Sequence, residues 1–449
     1  MQKHYHFIGI GGIGMSGLAR ILLRKGEKVS GSDLKRSALV DDLKREGALV
    51  SIGHSAKNIK GSHAVIYSTD IAKENVEYRK AEEKSIPLLH RSELLAQMMG
   101  GYAPLLVTGT HGKTTTASLL AHMLLEAGLD PSFSIGGHLI GHQNARYGTG
   151  LYFAAEADES DGTFLNYPSF GAIITNLEPD HMDYWKEESK ILKAFQRFSS
   201  QVGSKKHLFW CYDDLRLRSL KIKGSSFGFD EKADLVINNF RQVEWGVIFD
   251  ISFEGKKYQE VEIPLIGAHN VMNSSSVFGL GLKLDISENV IRSGLKSFKG
   301  VGRRFEKKGE CQGIVIYDDY AHHPTEIFST LRAMKSIAHG KRIVVAFQPH
   351  RYSRTKYCMN DFADAFEYAD EVILTEIYAA QESPLYGITA EALLERIQEG
   401  GFEPVSYVER KKLPHYLSKF LKKGDLLVTM GAGDITFVGP AVLEALEKQ

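Results

Sequence analysis

The chain is poor in cysteine, carries no excess charge of either sign and contains no long hydrophobic run. Its 449 residues include three cysteines, Cys211, Cys311 and Cys358, and 55 basic side chains balance 55 acidic ones. Widely spaced cysteines without a C-x-x-C pair argue against a metal–thiolate cluster and for a reducing compartment. A zero formal charge gives no electrostatic reason to expect nucleic acid or an anionic membrane as a partner.

The N-terminal apolar segment Phe7–Ile10 is too short and too rich in glycine for the core of a signal peptide. No apolar run approaches the about 20 residues that a membrane-spanning helix needs. We therefore expect a cytoplasmic protein without membrane contact.

The length and the order of the segments predict an α/β protein of three domains. Strand-like apolar runs repeatedly end in polar clusters, and helical segments follow, as in mainly parallel sheets. We predict an N-terminal Rossmann-like domain at residues 1–102 and a central P-loop domain with a β edge at 103–298. A C-terminal Rossmann-like domain is predicted at 299–449.

The segment Gly109–Thr116, GTHGKTTT, has the layout of a triphosphate-binding loop. An apolar strand, Pro104–Val107, precedes it, and apolar residues at helical spacing follow it. Backbone amides and the helix N-terminus then face the phosphates, Lys113 reaches the β/γ oxygens and Thr114 helps to hold Mg²⁺. The common pattern has a glycine where this chain has Val107, so the match is to a shortened G-x-x-G-K-T form.

A second glycine motif, Gly9–Gly14, follows the first predicted strand and precedes a helix. Asp33 lies about twenty residues further on, where dinucleotide folds place the acid that contacts ribose. This pattern makes an NAD(P)-dependent dehydrogenase a rival hypothesis. The motif itself requires only a diphosphate at a helix N-terminus, so a sugar nucleotide fits as well.

Acidic residues follow two predicted strands of the middle segment. Glu156 is the first residue after Leu151–Ala155, and His181 follows Ala172–Leu177 and two carboxylates. In a chain with a phosphate loop, carboxylates at a strand end suggest a divalent cation, and we select Glu156 as its ligand. His181 is either at a second metal or phosphate position or a bystander.

The remaining polar positions have two interpretations each. Asn270 and Asn273, one helical turn apart, are suited to adenine, and N-capping is the alternative for Asn270. Arg351 and Arg354 are suited to a carboxylate, or they are exposed residues at a helix start. The alternating strands of residues 205–262 carry no evident chemistry and are read as the β edge.

The motifs together resemble those of the Mur ligases, the ATP-dependent amino-acid ligases of bacterial peptidoglycan synthesis. The matching segments, in the order of the family, are GIGGIGMSG, GTHGKTTT, EADESDGTFL, TNLEPDHMDYW, GAHNVMNS, GVGRRFE, DDYAHHPTEI, QPHRYSRT and GAGDI. They cover all three predicted domains. The shortened loop at Val107 is the form that this family itself has.

The resemblance implies a cytoplasmic ligase that joins L-alanine to the lactyl carboxylate of UDP-N-acetylmuramate through an acyl phosphate, and so a role in cell-wall synthesis, cell shape and division. A sister ligase that attaches a preformed peptide to the same sugar nucleotide is the nearest alternative. A non-catalytic nucleotide switch and the dehydrogenase explain fewer of the motifs. The partners implied are small molecules, with ATP and Mg²⁺ or Mn²⁺ as cofactors, no nucleic acid, and a monomer or homodimer.

The resemblance also implies roles for individual residues. The UDP-sugar site is expected at Gly11, Gly12, Ile13, Gly14, Asp33 and His54. The ATP site is expected at Gly109, Thr110, His111, Gly112, Lys113, Thr114, Thr115, Asn270, Asn273, Arg304 and Asp319. The alanine pocket is expected at Tyr320, His322, His350, Arg351 and Arg354. Lys113, Glu156 and His181 are the catalytic candidates, and Thr114, Glu156 and His181 the metal ligands; no carbamylated lysine is predicted.

Overall fold

The computed structural model describes residues 2–141 and 143–448, which form three β-sheets flanked by helices. The α/β class and the predominance of parallel strands are confirmed. By contact density the chain divides into two compact units. The first comprises Met1–Asn238, Asp250–Val261 and Met272–Lys299, and the second Asn239–Phe249, Glu262–Val271 and Gly300–Gln449. The predicted boundaries at 102 and 298 remain predictions.

The first sheet has five strands, all parallel, in the order β3-β2-β1-β4-β5. Its elements are β1 (His4–Ile8), α1 (Ile13–Arg24), β2 (Lys28–Asp33), α2 (Ala38–Arg45), β3 (Leu49–Ile52), β4 (Ala64–Tyr67), α3 (Val76–Glu83), β5 (Leu88–His90) and α4 (Arg91–Met98). Phe7 and Ile8 in the central strand are fully buried, as expected for a parallel sheet covered on both faces. The order reverses between β1 and β4, which places a ligand crevice at the carboxyl end of β1.

The second sheet has ten strands in the order β15-β14-β13-β12-β11-β10-β6-β9-β7-β8. Its elements, with the helices around it, are β6 (Ala103–Thr108), α5 (Lys113–Glu126), β7 (Ser132–Ser134), β8 (Ala145–Arg146), β9 (Tyr152–Glu156), β10 (Gly171–Ile174), α6 (Met182–Trp185), α7 (Glu188–Gln201), β11 (Leu208–Cys211), α8 (Leu215–Ser219), β12 (Ser225–Gly228), β13 (Leu235–Val243), β14 (Gly246–Phe253), β15 (Lys256–Ile263), α9 (Ala268–Lys283) and α10 (Glu288–Lys296). Strand β6 lies between β10 and β9 and is parallel to both. The β edge is present, and alternate residues of β14 are buried there.

The third sheet has six strands in the order β16-β17-β21-β18-β19-β20, and only the β16–β17 pair is antiparallel among the pairs described. Its elements are β16 (Glu306–Cys311), β17 (Ile314–Asp319), α11 (Pro324–Ile337), β18 (Ile343–Phe347), α12 (Tyr352–Tyr357), α13 (Phe362–Ala365), β19 (Glu371–Leu374), α14 (Ala390–Glu399), β20 (Val405–Tyr407), α15 (Leu413–Phe420), β21 (Leu426–Met430) and α16 (Val438–Glu447). Apolar clusters cover both faces, so β18 is buried along its whole length. Across the described residues, every helix falls short of the length and apolarity needed to cross a membrane.

Candidate functional site

The predicted phosphate loop connects β6 to α5 and has a conformation that requires glycine at two positions. Gly109 has φ +132°, and a Cβ there would lie 2.1 Å from Thr175 Oγ1. Gly112 has φ +80°, which L side chains rarely adopt. The His111 amide donates to Asn176 Oδ1 at 2.8 Å, and Thr175 Oγ1 donates to the His111 carbonyl at 2.6 Å. The segment after β10 therefore holds the loop in shape.

The Lys113 ammonium is held inside this loop. Its Nζ donates to the Gly109 carbonyl at 2.7 Å and to the two Glu159 oxygens at 2.8 and 3.0 Å. Burial alone lowers the pKa of Lys113, but the carboxylates of Glu159, Asp158 and Glu156 outweigh it and raise that pKa. Lys113 is therefore charged, and an arriving triphosphate competes with Glu159 for it.

Glu159 was not singled out from the sequence. The prediction favoured Glu156 as the residue nearest the strand, whereas Glu159 returns to the loop because the chain turns after β9, with the Gly162 amide bonded to the Glu159 carbonyl at 3.2 Å. The side chain of Glu159 is 1% exposed, whereas that of Asp158 is 41% exposed. A cluster of four carboxylates within six residues is the signal for this segment, but only the fold selects the one that pairs with the lysine.

Glu156 and His181 follow the two strands, β9 and β10, that flank β6. Glu156 is the last residue of β9 and pairs with Val107 in the ladder. It accepts hydrogen bonds from Thr114 Oγ1 at 3.2 Å and from the Gly136 amide at 2.6 Å. His181 precedes α6 beyond β10, in a left-handed conformation with φ +53°. The structure thus brings Thr114 and Glu156 together, and a hydroxyl with a carboxylate is a donor set that fits Mg²⁺.

The first glycine motif forms a tight turn at the end of β1. The Gly9 and Ile10 amides both donate to the Ser32 carbonyl, at 2.8 and 3.0 Å. Helix α1 begins at Ile13 without a side-chain cap, so its N-terminus is available to an anion. Asp33 Oδ2 accepts from the Gly11 amide at 2.9 Å, which joins the acidic residue to the turn. The predicted UDP-sugar residues Gly11–Gly14 and Asp33 are therefore neighbours.

Arg91, the first residue of α4, is a further cation at this turn that the sequence reasoning missed. A Cβ on Gly14 would lie 3.0 Å from Arg91 Nη1. Arg91 Nη2 is 4.0 Å from Asp158 Oδ2, so the guanidinium lies between the turn and the acidic segment after β9. The glycine pattern gives no information about a residue that is distant in sequence.

In the second unit, most of the predicted alanine-pocket residues form one cluster. The ring centroid of His322 lies 5.5 Å from that of Tyr320 and 5.7 Å from that of His350. Arg354 Nη1 is 3.1 Å from His350 Nδ1. Arg351 stands beside this cluster, with Nη1 3.9 Å from Glu382 Oε1. Two guanidinium groups and aromatic rings therefore lie close together, and guanidinium groups are suited to pairing with a carboxylate.

Burial shifts the pKa values of Asp319 and His350, two predicted site residues of the second unit. Burial raises the pKa of Asp319 to about 6, against the opposing charge of Arg304. The two Asp319 oxygens accept from the Phe305 and Ala321 amides, each at 2.7 Å. Burial also lowers the pKa of His350 to about 2, so His350 is neutral at physiological pH.

The two predicted adenine contacts belong to α9. This helix begins at Ala268, so Asn270 lies inside it and is not its N-cap; its Nδ2 donates to the Ile266 carbonyl at 2.8 Å. Asn273 lies against the phosphate loop, because a Cβ on Gly112 would be 2.9 Å from Asn273 Oδ1. Of the two, Asn273 is the residue that the first unit places beside the loop.

Comparison with known families matches three models along the chain. They are "Mur ligase family, catalytic domain" at residues 4–103, "Mur ligase middle domain" at 107–281 and "Mur ligase, glutamate ligase domain" at 303–433. The middle-domain match contains the phosphate loop, Glu156, His181 and both asparagines.

Three individual proteins illustrate the similarity. A UDP-N-acetylmuramate–L-alanine ligase of Protochlamydia amoebophila is 47% identical over 449 residues, which is 100% of this chain and 99% of that protein. A UDP-N-acetylmuramate–alanine ligase of Thermotoga maritima has a solved structure with TM-score 0.86 and 28% identity, covering 100% of both chains. A murein peptide ligase of Psychrobacter arcticus superimposes with TM-score 0.73 at 22% identity, over 100% of this chain and 99% of that one, which concerns the fold alone.

Proposed function

The chain belongs to the Mur ligase family, and we propose that it joins L-alanine to the lactyl carboxylate of UDP-N-acetylmuramate at the expense of ATP. The observation that carries this proposal is the 47% identity to an L-alanine ligase along the whole chain. The geometry supports it through a charged Lys113 held in a glycine loop between two polar strand ends. Consumption of ATP assigns the reaction to the cytoplasm.

We assign the binding of the UDP-sugar to residues 1–102 and the binding of ATP to residues 103–298. Residues 299–449 are assigned to the binding of the amino acid and of part of the nucleotide. The turn Gly11–Gly14 binds the diphosphate, and Asp33 and His54 face the uridine. The partners are small molecules, and we expect a monomer or homodimer, which sedimentation distinguishes.

For ATP, the amides of Gly109–Gly112 and the α5 N-terminus bind the phosphates, and Lys113 leaves Glu159 for the β/γ oxygens. Asn270, Asn273, Arg304 and Asp319 are the remaining nucleotide contacts. Thr114 and Glu156 would hold Mg²⁺ or Mn²⁺, with His181 at a second position, and such an ion neutralises phosphate charge.

The reaction activates a poor acyl donor in two steps. A carboxylate oxygen forms a bond to the γ-phosphorus while the bond from that phosphorus to the β–γ bridging oxygen breaks, which gives an acyl phosphate and ADP. The neutral amine of L-alanine then attacks the acyl carbon and loses a proton, and phosphate leaves with the oxygen that came from the lactyl carboxylate. Positioning and charge neutralisation supply the catalysis, and one well-placed donor such as Lys113 is typically worth about 3–4 kcal/mol.

The alanine pocket is assigned to the cluster in the second unit. Arg354 and Arg351 are suited to the alanine carboxylate, since a guanidinium pairs with both carboxylate oxygens. Tyr320, His322 and the neutral His350 belong to the same cluster, and a neutral imidazole adds no repulsion to an incoming ammonium group.

A sister ligase that attaches a preformed peptide to the same sugar nucleotide is the second candidate, because the sequence motifs also fit it. In the test, purified protein is given ATP, Mg²⁺ and UDP-N-acetylmuramate together with one acceptor at a time: L-alanine, glycine, L-serine or a preformed tripeptide. We expect ADP release with L-alanine. Release with the tripeptide but not with L-alanine would refute the proposal, and tight binding of NADH would restore the dehydrogenase hypothesis.

A further inference from the structure

A buried carboxylate, Glu77 in α3, lies behind the predicted uridine site and is fully shielded from solvent. Its Oε2 accepts from Ser32 Oγ at 2.5 Å and lies 3.3 Å from His6 Nε2. Its Oε1 accepts from the Ser55 amide at 3.0 Å and from Asn58 Nδ2 at 2.6 Å. Four donors around one acidic group identify it as an ionised acceptor, although nothing in the reaction described above uses it.

The ionised state of Glu77 sets the direction of the neighbouring hydrogen bonds. A carboxylate only accepts, so the single hydroxyl proton of Ser32 points at Glu77. Ser32 Oγ also lies 2.8 Å from Nδ1 of His54. Because the Ser32 proton is already used, His54 must donate through Nδ1–H, and in the neutral imidazole Nε2 then carries a lone pair.

His54 lies where the base of a bound nucleotide is expected. The phosphate turn is at the end of β1, Asp33 ends β2, and His54 follows β3, so the three occupy successive strands at one edge of the sheet. A diphosphate at the turn and a ribose at Asp33 direct the base toward β3. In residues 2–141 and 143–448, the structure records no hydrogen-bond partner for His54 Nε2, and the side chain is 15% exposed.

We propose that Glu77 is a positioning residue for base selection, which acts through Ser32 to keep His54 Nε2 an acceptor for the imide N–H of uracil. This inference rests on the proposed binding of a uridine diphosphate sugar. Cytosine has a lone pair at the same ring nitrogen. That nitrogen and His54 Nε2 would then be two acceptors facing each other with no proton between them. A site with a fixed acceptor rejects such an analogue, because the buried lone pairs then remain unpaired.

Replacing the carboxylate with an amide reverses the relay. In Glu77→Gln, an amide N–H at the Oε2 position donates to Ser32, whose proton then turns to His54 Nδ1. His54 becomes an Nε2–H donor, which suits cytosine and opposes uracil. The two serines of β2 give a second, matched pair of variants. Ser32→Ala breaks the relay, while Ser30→Ala removes the buried hydroxyl that joins His4 to His6 and leaves Ser32 and His54 in place.

The experiment measures binding of UDP and of CDP to the full-length protein by calorimetry. We expect wild type and Ser30→Ala to prefer UDP by about tenfold or more, which corresponds to one misplaced hydrogen bond. Glu77→Gln and Ser32→Ala should lower that preference by about tenfold, and Glu77→Gln should bind CDP more tightly than wild type does. Nitrogen-15 spectra of labelled histidine, with His54 assigned through His54→Gln, should show the Nδ1–H form in wild type and the Nε2–H form in Glu77→Gln.

An unchanged UDP/CDP ratio in folded Glu77→Gln or Ser32→Ala would overturn the inference, as would an Nε2–H His54 in the wild type. If Glu77→Gln does not fold, the two serine variants still decide, because they change the same residue type on one strand. If the wild type turns over UDP-N-acetylmuramate with L-alanine but the variants leave the UDP/CDP ratio unchanged, only this inference is refuted. A wild type that binds no UDP refutes the uridine site itself.

Discussion

Glu159→Gln tests whether the buried ion pair with Lys113 is the resting state of the phosphate loop. The side chains of Lys113 and Glu159 are 15% and 1% exposed, and the ammonium contacts both carboxylate oxygens. Removing one partner of a buried ion pair lowers the free energy of unfolding by about 3–5 kcal/mol. Because the glutamine keeps an amide oxygen that can accept from Lys113, we expect a loss near the lower end, about 3 kcal/mol. For a domain of about 200 residues, that lowers the unfolding temperature by roughly 6–12 °C.

The same variant should respond more strongly to nucleotide. In Glu159→Gln the Lys113 ammonium has lost the Glu159 carboxylate, and a bound triphosphate supplies the missing negative charge. ATP should therefore raise the unfolding temperature of this variant by more than it raises that of wild type. The assay is calorimetric unfolding with and without ATP and Mg²⁺. Asp158→Asn is the matched control, because it removes one negative charge from the adjacent residue without removing a hydrogen bond to Lys113. Equal unfolding temperatures for the two variants, or an ATP response no larger than that of wild type, would refute the reasoning.

Three further predictions concern the loop and the buried carboxylate. Lys113→Ala should abolish ADP release while leaving UDP-sugar binding by calorimetry largely intact; residual turnover would remove the lysine from the mechanism. Gly109→Ala should lose ATP binding, because the added Cβ would lie 2.1 Å from Thr175 Oγ1 at φ +132°. Gly26→Ala also has a positive φ, +86°, but its Cβ meets nothing within 4 Å, so this control should bind ATP normally. For Glu77, burial raises the pKa but four hydrogen bonds outweigh it and lower the pKa from 4.5 to about 2. The lowered pKa of Glu77 stabilises the fold by about 3 kcal/mol above pH 4.5, and this stabilisation is lost as the pH falls toward 2. In Glu77→Gln, the free energy of unfolding should therefore lack this dependence on pH.

The strand ends that carry the site were predictable because parallel strands here are short, buried and followed by glycine or polar residues. The sequence placed the loop after β6 and polar residues after β9, β10, β17 and β18, where the structure has them. The exact start of a helix depends on its cap; α3 begins at Val76, after the cap Asn75.

Individual strands were not identified where their sequences are polar. Strand β16 (Glu306–Cys311) reads EKKGEC and β13 (Leu235–Val243) reads LVINNFRQV, so neither has a long apolar run. Their backbone pairing with a neighbouring strand, rather than side-chain burial, defines them.

Contacts between residues distant in sequence were also beyond prediction. Glu159, Arg91 and Glu77 reach their partners through turns and helix packing that no local pattern encodes. The pairing of Glu77 with Ser32, for example, joins residues 45 positions apart. The residue types at strand ends could be predicted, whereas their partners could not.

The central claim is that ATP activates the sugar carboxylate as an acyl phosphate before the amide forms. The most direct measurement uses UDP-N-acetylmuramate with ¹⁸O in both oxygens of the lactyl carboxylate, together with ATP and L-alanine in unlabelled water. The account predicts one ¹⁸O in each phosphate released and one in the amide product. Phosphate that carries no ¹⁸O from the substrate would contradict it.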